Sequence, residues 1–101
     1  MVLFGDSHMQ QWQPAFIRAG DSVRWRVVNW TKSGCAAQEV AERSVELNEP
    51  YTQCYAWRAL TLRRIAALKP TVVVLTSADV EAPNLSPTAY ADAIVATVRT
   101  L

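Results

Sequence analysis

The stretch Val2-Leu3-Phe4-Gly5-Asp6-Ser7-His8 joins an apolar run to a polar tetrapeptide that follows it at once. The apolar run predicts a short buried strand, and the glycine behind it allows the chain to turn sharply. Many α/β hydrolytic domains present a nucleophilic serine in this strand–turn context. Ligands of open α/β sheets bind at the carboxyl ends of the strands. Ser7 is therefore a candidate nucleophile, with an ordinary polar turn as the alternative interpretation.

The composition indicates one small globular domain. The chain has 101 residues, of which 50% are hydrophobic and 19% charged, so it can bury a core and is too apolar to be disordered. Its net charge is +1, and its arginines are scattered rather than grouped in a basic run. A nucleic-acid-binding domain would carry a basic patch or stripe. We therefore expect no nucleic-acid partner.

The sequence contains no signal for a membrane span, a metal or a cofactor. No apolar run approaches the length of about 20 residues that a membrane span needs. The single histidine, His8, and the widely separated Cys35 and Cys54 do not supply the ligands of a structural zinc site. Composition alone leaves open whether the two cysteines form a disulfide or remain buried thiols.

Helical and strand patterns alternate in the first half of the chain. A helix is predicted behind the first strand, and Pro14 leaves open whether it begins near Gln13 or is kinked there. Residues 20–22 predict a turn, and residues 23–28 alternate as an edge strand does. No period holds from residue 29 to 50, although residues 38–46 could form a short surface helix. The apolar face of the first helix is formed by Met9, Trp12, Phe16 and Ala19.

The second half of the chain has the clearest patterns. Residues 51–69 predict a long helix, which leaves Arg58 and Arg63 off its buried stripe. Residues 72–75 form a β-branched run typical of a central strand buried on both faces. Ser86 is expected to cap a last helix that has Pro87 at its first position. The predicted buried stripes are Cys54, Trp57, Thr61, Ile65 and Leu68 on the long helix, and Tyr90, Ile94, Val98 and Leu101 on the last.

This order of elements predicts an α/β fold, with a parallel sheet between layers of helices, as in flavodoxin-like three-layer α/β/α domains. A doubly wound sheet usually has about five or six strands, and three are predicted here. We therefore expect residues 1–101 to be a single partial domain, the N-terminal part of a larger unit.

With these features the chain resembles the SGNH/GDSL hydrolase-like domains, and within them the extracytoplasmic domain fused to membrane-bound glycan O-acyltransferases. The resemblance rests on Gly5-Asp6-Ser7-His8 with Pro14 downstream, on Thr31-Lys32-Ser33-Gly34-Cys35, on Cys54 with Trp57-Arg58, and on the helix-to-strand passage over residues 60–77. It implies that Ser7 is the nucleophile and that its backbone N–H is one donor of the oxyanion hole. Gly34 is the candidate for the family's glycine donor, with a plain turn glycine as the alternative.

The chain departs from the family pattern at two places. The third oxyanion donor of the family is an asparagine in the loop after the next strand, where this chain reads Thr76-Ser77-Ala78-Asp79. Ser77 is a weak substitute for it, and Asn84 is better explained as a loop residue. The family's Asp-x-x-His base is also missing, so we expect it beyond Leu101. His8 and Asp6 are expected to shape the turn rather than to act as the base and the triad acid.

The resemblance implies serine acyl transfer in the O-acylation, such as O-acetylation, of cell-surface glycans. The partners would be a glycan acceptor and an acyl donor, possibly relayed from a membrane acyltransferase domain, and the location would be extracytoplasmic. A carbohydrate or lipid esterase and a noncatalytic domain without the base are the alternatives. Helical phasing turns Cys54 toward the sheet, while Cys35 lies in a loop at the same edge, which predicts a Cys35–Cys54 disulfide.

Overall fold

The computed structural model describes residues 1–41, 43–44, 47–78 and 85–101. Asp79 and Asn84 lie outside the described residues. In chain order the elements are β1 Val2–Gly5, α1 Ser7–Ser22, β2 Val28–Thr31, β3 Arg43–Ser44, β4 Glu49–Pro50, α2 Thr52–Leu68, β5 Val73–Thr76 and α3 Pro87–Arg99.

Three of the strands form a parallel sheet in the order β2-β1-β5, which confirms the predicted α/β fold. Val2 pairs with both Val28 and Val73, and this register continues to Gly5 opposite Thr31 and Thr76. β1 is the only one of the three with a neighbour on each side, and its residues are fully buried. The first strand of the sequence is therefore the centre of the described sheet.

The helices flank this sheet. Phe4 of β1 packs against Trp57 of α2, with their ring centroids 5.5 Å apart. Val2, Phe4, Ala37 and Ile65 form the buried cluster on that side. Side chains alternate between the two faces of a strand, so Leu3 points to the opposite face, on which α1 packs. This arrangement is the partial α/β/α layering expected of the predicted fold.

The predicted boundaries of the first helix and the second strand were wrong. α1 continues through Ser22, beyond the turn predicted at residues 20–22, and it accommodates Pro14 on its exposed side. The chain then reverses at Arg24, which has a φ of 59°, and the Trp25 N–H donates to the Gly20 carbonyl. This reversal occupies the residues whose alternation suggested a strand, so β2 begins at Val28.

Several predicted stripes were only partly correct. Met9 is buried as expected, but Trp12 on the same stripe is 61% exposed. On α3 the buried side chain is Thr97, whereas the predicted stripe residues Ile94 and Val98 are exposed. The reason is that α3 contacts the loop after β2, where Thr97 Oγ1 accepts a hydrogen bond from the Glu39 N–H.

The region between β2 and α2 also differs from the prediction. β3 and β4 form a short antiparallel hairpin in the region where residues 38–46 suggested a surface helix. On α2 the predicted helix is confirmed, but Leu68 is exposed and Arg58 is buried although it was placed off the buried stripe. β5 is half-buried and lies at one side of the described sheet, so it is not the central strand. The Ser86 cap of α3, with Pro87 behind it, is confirmed.

Candidate active site

Ser7 lies at the junction of the central strand and the first helix. It follows Asp6, the N-cap of α1, and is the first residue of that helix. Its side chain is half-buried, and neither its hydroxyl nor its N–H has a hydrogen-bond partner among the described residues. The N-terminus of a helix carries a partial positive charge and unpaired N–H groups, and both favour an anion. The position therefore suits an atom that develops negative charge.

Asp6 fixes the position of Ser7. Its carboxylate is fully buried, and Oδ1 accepts the His8 N–H at 2.9 Å, which caps the helix. Oδ1 also accepts the Thr76 hydroxyl at 3.3 Å, and Oδ2 accepts the Ala78 N–H. These bonds join the ends of β1 and β5, which are about 70 residues apart in sequence. Ser77, between Thr76 and Ala78, is held at the same edge of the sheet as Ser7.

Gly5 allows this close junction. A Cβ atom at this position would overlap the carbonyl and hydroxyl oxygens of Thr76. Any larger side chain would therefore push the end of β5 away from β1 and separate Thr76 from Asp6. The glycine of the tetrapeptide is explained by packing between strands, as well as by the turn.

Gly34 lies on the other side of β1, in the loop after β2. The Lys32 N–H donates to the Gly5 carbonyl at 3.0 Å, which extends the strand pairing to the start of this loop. Gly34 then occupies a turn closed by a bond from the Cys35 N–H to the Lys32 carbonyl, and its φ is 61°. The backbone conformation explains a glycine here. Within the described residues no hydrogen bond joins Gly34 to Ser7.

A disulfide and a buried arginine hold this loop against α2. Cys35 and Cys54 are bonded, with their Cα atoms 5.5 Å apart, which confirms the predicted pair. The Arg58 guanidinium donates to the carbonyls of Ala36 and Val40 at 3.0 and 3.3 Å, and to Cys54 Sγ. Arg58 is only 3% exposed, so its role in the loop is structural.

The Ser77 hydroxyl lies in a hydrogen-bonded chain that sequence patterns did not reveal. It accepts a bond from Gln38 Nε2 at 2.6 Å and is bonded to the Tyr90 hydroxyl at 2.6 Å. Gln38 comes from the disulfide-bonded loop and Tyr90 from α3, so three distant segments meet here. Their only signal in the sequence is a polar residue in an unpatterned loop and a tyrosine at the start of a helix.

His8 shares this region with Ser77. Its side chain is 53% exposed, and Nδ1 lies 3.3 Å from Asp6 Oδ2. The histidine contributes to a groove of about 470 Å3, together with Gln38, Ser77 and Tyr90. The imidazole is therefore oriented by Asp6 toward the groove, whereas the Ser7 side chain leaves the helix in another direction.

The described residues offer no further prosthetic site. They contain no group of three His, Cys, Asp or Glu side chains arranged to hold a metal ion. The described helices are all too short or too polar to cross a bilayer.

A family model describes all of this chain. The model is that of the SGNH domain fused to AT3 domains, and it matches residues 1–101. The chain belongs to this family. Searches of curated proteins and of solved structures gave no match. Membership associates this SGNH domain with acyltransferases in general and with a membrane-protein parent, whose AT3 domain is its partner.

Proposed function

We propose that this SGNH domain carries out serine acyl transfer with Ser7 as the nucleophile. The observation that carries the proposal is the position of Ser7 at the first residue of α1, behind the central strand, with a free N–H. Membership of an acyltransferase-associated family supports the same chemistry.

In the proposed reaction the Ser7 hydroxyl attacks the carbonyl carbon of an acyl donor. Its proton passes to a base, the leaving group departs, and an acyl ester remains on Ser7 Oγ. A sugar hydroxyl of a cell-surface glycan then attacks this ester, takes the acyl group and returns the proton to Ser7. If water replaces the sugar, the same intermediate is hydrolysed, so an esterase uses the same residues.

The oxyanion formed in each step needs preorganised donors, each worth on the order of 3 kcal/mol. The Ser7 N–H is the first donor that we propose, and Gly34 is the second. Ser77 is the third, because Asp6 holds its neighbours Thr76 and Ala78 beside the junction of β1 and α1. Gln38 and Tyr90 then orient the Ser77 hydroxyl.

A noncatalytic domain is the second candidate. It is favoured by the geometry of the single histidine, because His8 follows Ser7 directly and its Nδ1 faces Asp6. In such a domain the same edge of the sheet would bind a glycan without accepting an acyl group.

We further propose an extracytoplasmic location, where the domain would act in O-acetylation of surface glycans. The Cys35–Cys54 disulfide supports this location, because disulfides persist in oxidising compartments.

Acylation by an activated ester tests the proposal. The purified chain is incubated with p-nitrophenyl acetate, and the acetylated residue is located by mass spectrometry of its peptides. We expect acetyl on Ser7, none in Ser7→Ala, and unchanged acetylation in the matched control Ser22→Ala on the same helix. Equal acetylation of Ser7→Ala would reject Ser7 as the nucleophile and leave the noncatalytic candidate.

A further inference from the structure

A groove crosses the carboxyl end of β5 next to the Ser7 junction. Its polar part is lined by His8, Gln38, Ser77 and Tyr90, and its apolar part by Leu75 and Ile94. The volume of about 470 Å3 lies within the range of ligand pockets, which is roughly 300–1,000 Å3. The site is open enough to admit part of a larger molecule.

The polar groups in the groove offer both a donor and an acceptor. Gln38 is 97% buried by its exposure of 3%, and its Nε2 is used by Ser77, whereas Oε1 has no partner among the described residues. Ser77 and Tyr90 share one hydrogen bond, in which either hydroxyl can donate. Each hydroxyl has one proton, so whichever group accepts keeps its own proton for a ligand. Alcohol groups, which donate and accept, match this set.

The charges around the groove argue against an ionic ligand. Among its described lining residues there is no Lys, Arg, Asp or Glu. Asp6 lies behind His8, fully buried and engaged by Thr76 and Ala78. A phosphate or a uronic acid would lose its hydration without gaining a charged partner. Leu75 and Ile94 offer apolar surface to the C–H face of a ring.

We infer that this groove binds a neutral sugar ring, held by hydrogen bonds to Gln38 and to the Ser77–Tyr90 pair. Its role as the acceptor site of an acyl transfer depends on the function proposed above, whereas the binding itself does not. The groove begins at the residues that Asp6 ties to the Ser7 junction, so a ring held there lies beside the nucleophile.

Nuclear magnetic resonance titration of the isotope-labelled chain tests this inference. The probes are the methyl glycosides of glucose, galactose, rhamnose and N-acetylglucosamine, with the methyl glycoside of glucuronic acid as the charged comparison. We expect saturable shifts of the Gln38 side-chain amide and of Ser77 and Tyr90 with at least one neutral probe. Its dissociation constant should be at least fivefold lower than that of the glucuronide.

Variants separate this site from the catalytic proposal. Tyr90→Phe removes one hydroxyl and should weaken binding of the neutral probe at least fivefold, and Ser77→Ala should do the same in a second background. Tyr55→Phe, the same change on α2, should leave binding unaltered. Ser7→Ala should retain sugar binding even though it loses acetylation. Absence of binding by every neutral probe, preference for the glucuronide, or unchanged binding in Tyr90→Phe and Ser77→Ala would overturn the inference.

Discussion

Asp6 shows how one buried carboxylate can organise an edge of the sheet. It caps α1 through the His8 N–H and receives two groups from the end of β5. A side-chain bond at an N-cap contributes about 1 kcal/mol. A buried N–H that loses its acceptor costs about 1–3 kcal/mol, and Ala78 is in that position. The contribution of Asp6 is therefore expected to be large for a single side chain.

Asp6→Ala should lower the free energy of unfolding by about 3 kcal/mol, because both the helix cap and the bond to Ala78 are lost. Urea denaturation followed by circular dichroism measures the change. Asp21→Ala, the same substitution at an exposed position near the end of α1, is the matched control. A loss in Asp6→Ala no larger than that in Asp21→Ala would contradict the proposed role of Asp6.

At the same scale, the purified chain should hydrolyse short-chain esters slowly. Serine needs a base within hydrogen-bond reach to lose its proton near neutral pH, and His8 is oriented by Asp6 instead. A continuous assay with p-nitrophenyl butyrate compares the chain with Ser7→Ala and His8→Ala. Fast turnover that is abolished in Ser7→Ala and retained in His8→Ala would mean that another base is present in these residues.

The loop after β2 is the element with the most attachments to its neighbours. The disulfide joins it to the start of α2, and Arg58 binds its backbone from the next turn of that helix. Tyr51 also donates from its hydroxyl to the Ser33 carbonyl at 3.3 Å. Gly34 and Gln38, both assigned to the proposed site, are thus carried by a segment with little regular structure of its own that α2 keeps in place.

Reduction of the disulfide should lower the free energy of unfolding by roughly 3 kcal/mol, the value for a closed loop of about twenty residues in the chain-entropy model. Denaturation with and without dithiothreitol measures this difference. The double variant Cys35→Ser with Cys54→Ser is the control, since the reductant should have no effect on it. An equal stability of the oxidised and reduced chains would show that the bond does not constrain the loop.

Arg58→Met should destabilise the chain by about 3 kcal/mol, because it leaves buried carbonyls of Ala36 and Val40 without a donor. Arg63→Met is the matched control, an exposed position on the same helix, and surface changes usually stay within about 0.5 kcal/mol. Thermal denaturation of both variants tests the difference. Equal melting temperatures for the two would show that burial of Arg58 has no structural consequence.

At the scale of the whole molecule, the core depends on β1, because this strand is buried by a sheet neighbour on each side and by helices on both faces. Phe4→Ala should cost about 3–5 kcal/mol, a large part of the 5–15 kcal/mol typical of a domain. Phe16→Ala, at a half-buried position of α1, should cost clearly less. Urea denaturation of the two variants ranks them, and the opposite order would place the main core elsewhere.

Local sequence patterns predicted those parts of the fold that depend on neighbouring residues. The apolar run before Gly5, the period of α2 and the Ser86-Pro87 start of α3 are all local signals, and each was confirmed. Burial was harder to predict, because it depends on which element packs on which. Trp12 continues a regular stripe and is exposed, whereas Arg58 interrupts one and is buried.

The candidate site divides in the same way. Ser7, Asp6 and His8 are consecutive, so one motif located them, and a family resemblance added Gly34 and Ser77. Gln38 and Tyr90 join Ser77 through hydrogen bonds that span 39 and 13 residues. No periodicity or composition records such bonds, because they exist only after the loop and α3 meet at the end of β5.

The position of β1 in the sheet affects how the domain can be synthesised. Val2 pairs with Val73, so the innermost strand emerges from the ribosome about seventy residues before one of its two neighbours. At roughly 5–20 residues per second, that delay lasts from about 4 to 14 s. During this time the apolar segment Val2-Leu3-Phe4 can pair with β2 but has an open edge toward β5. The nascent chain therefore passes through an aggregation-prone interval, in which a chaperone that binds short apolar segments would raise the yield of folded domain.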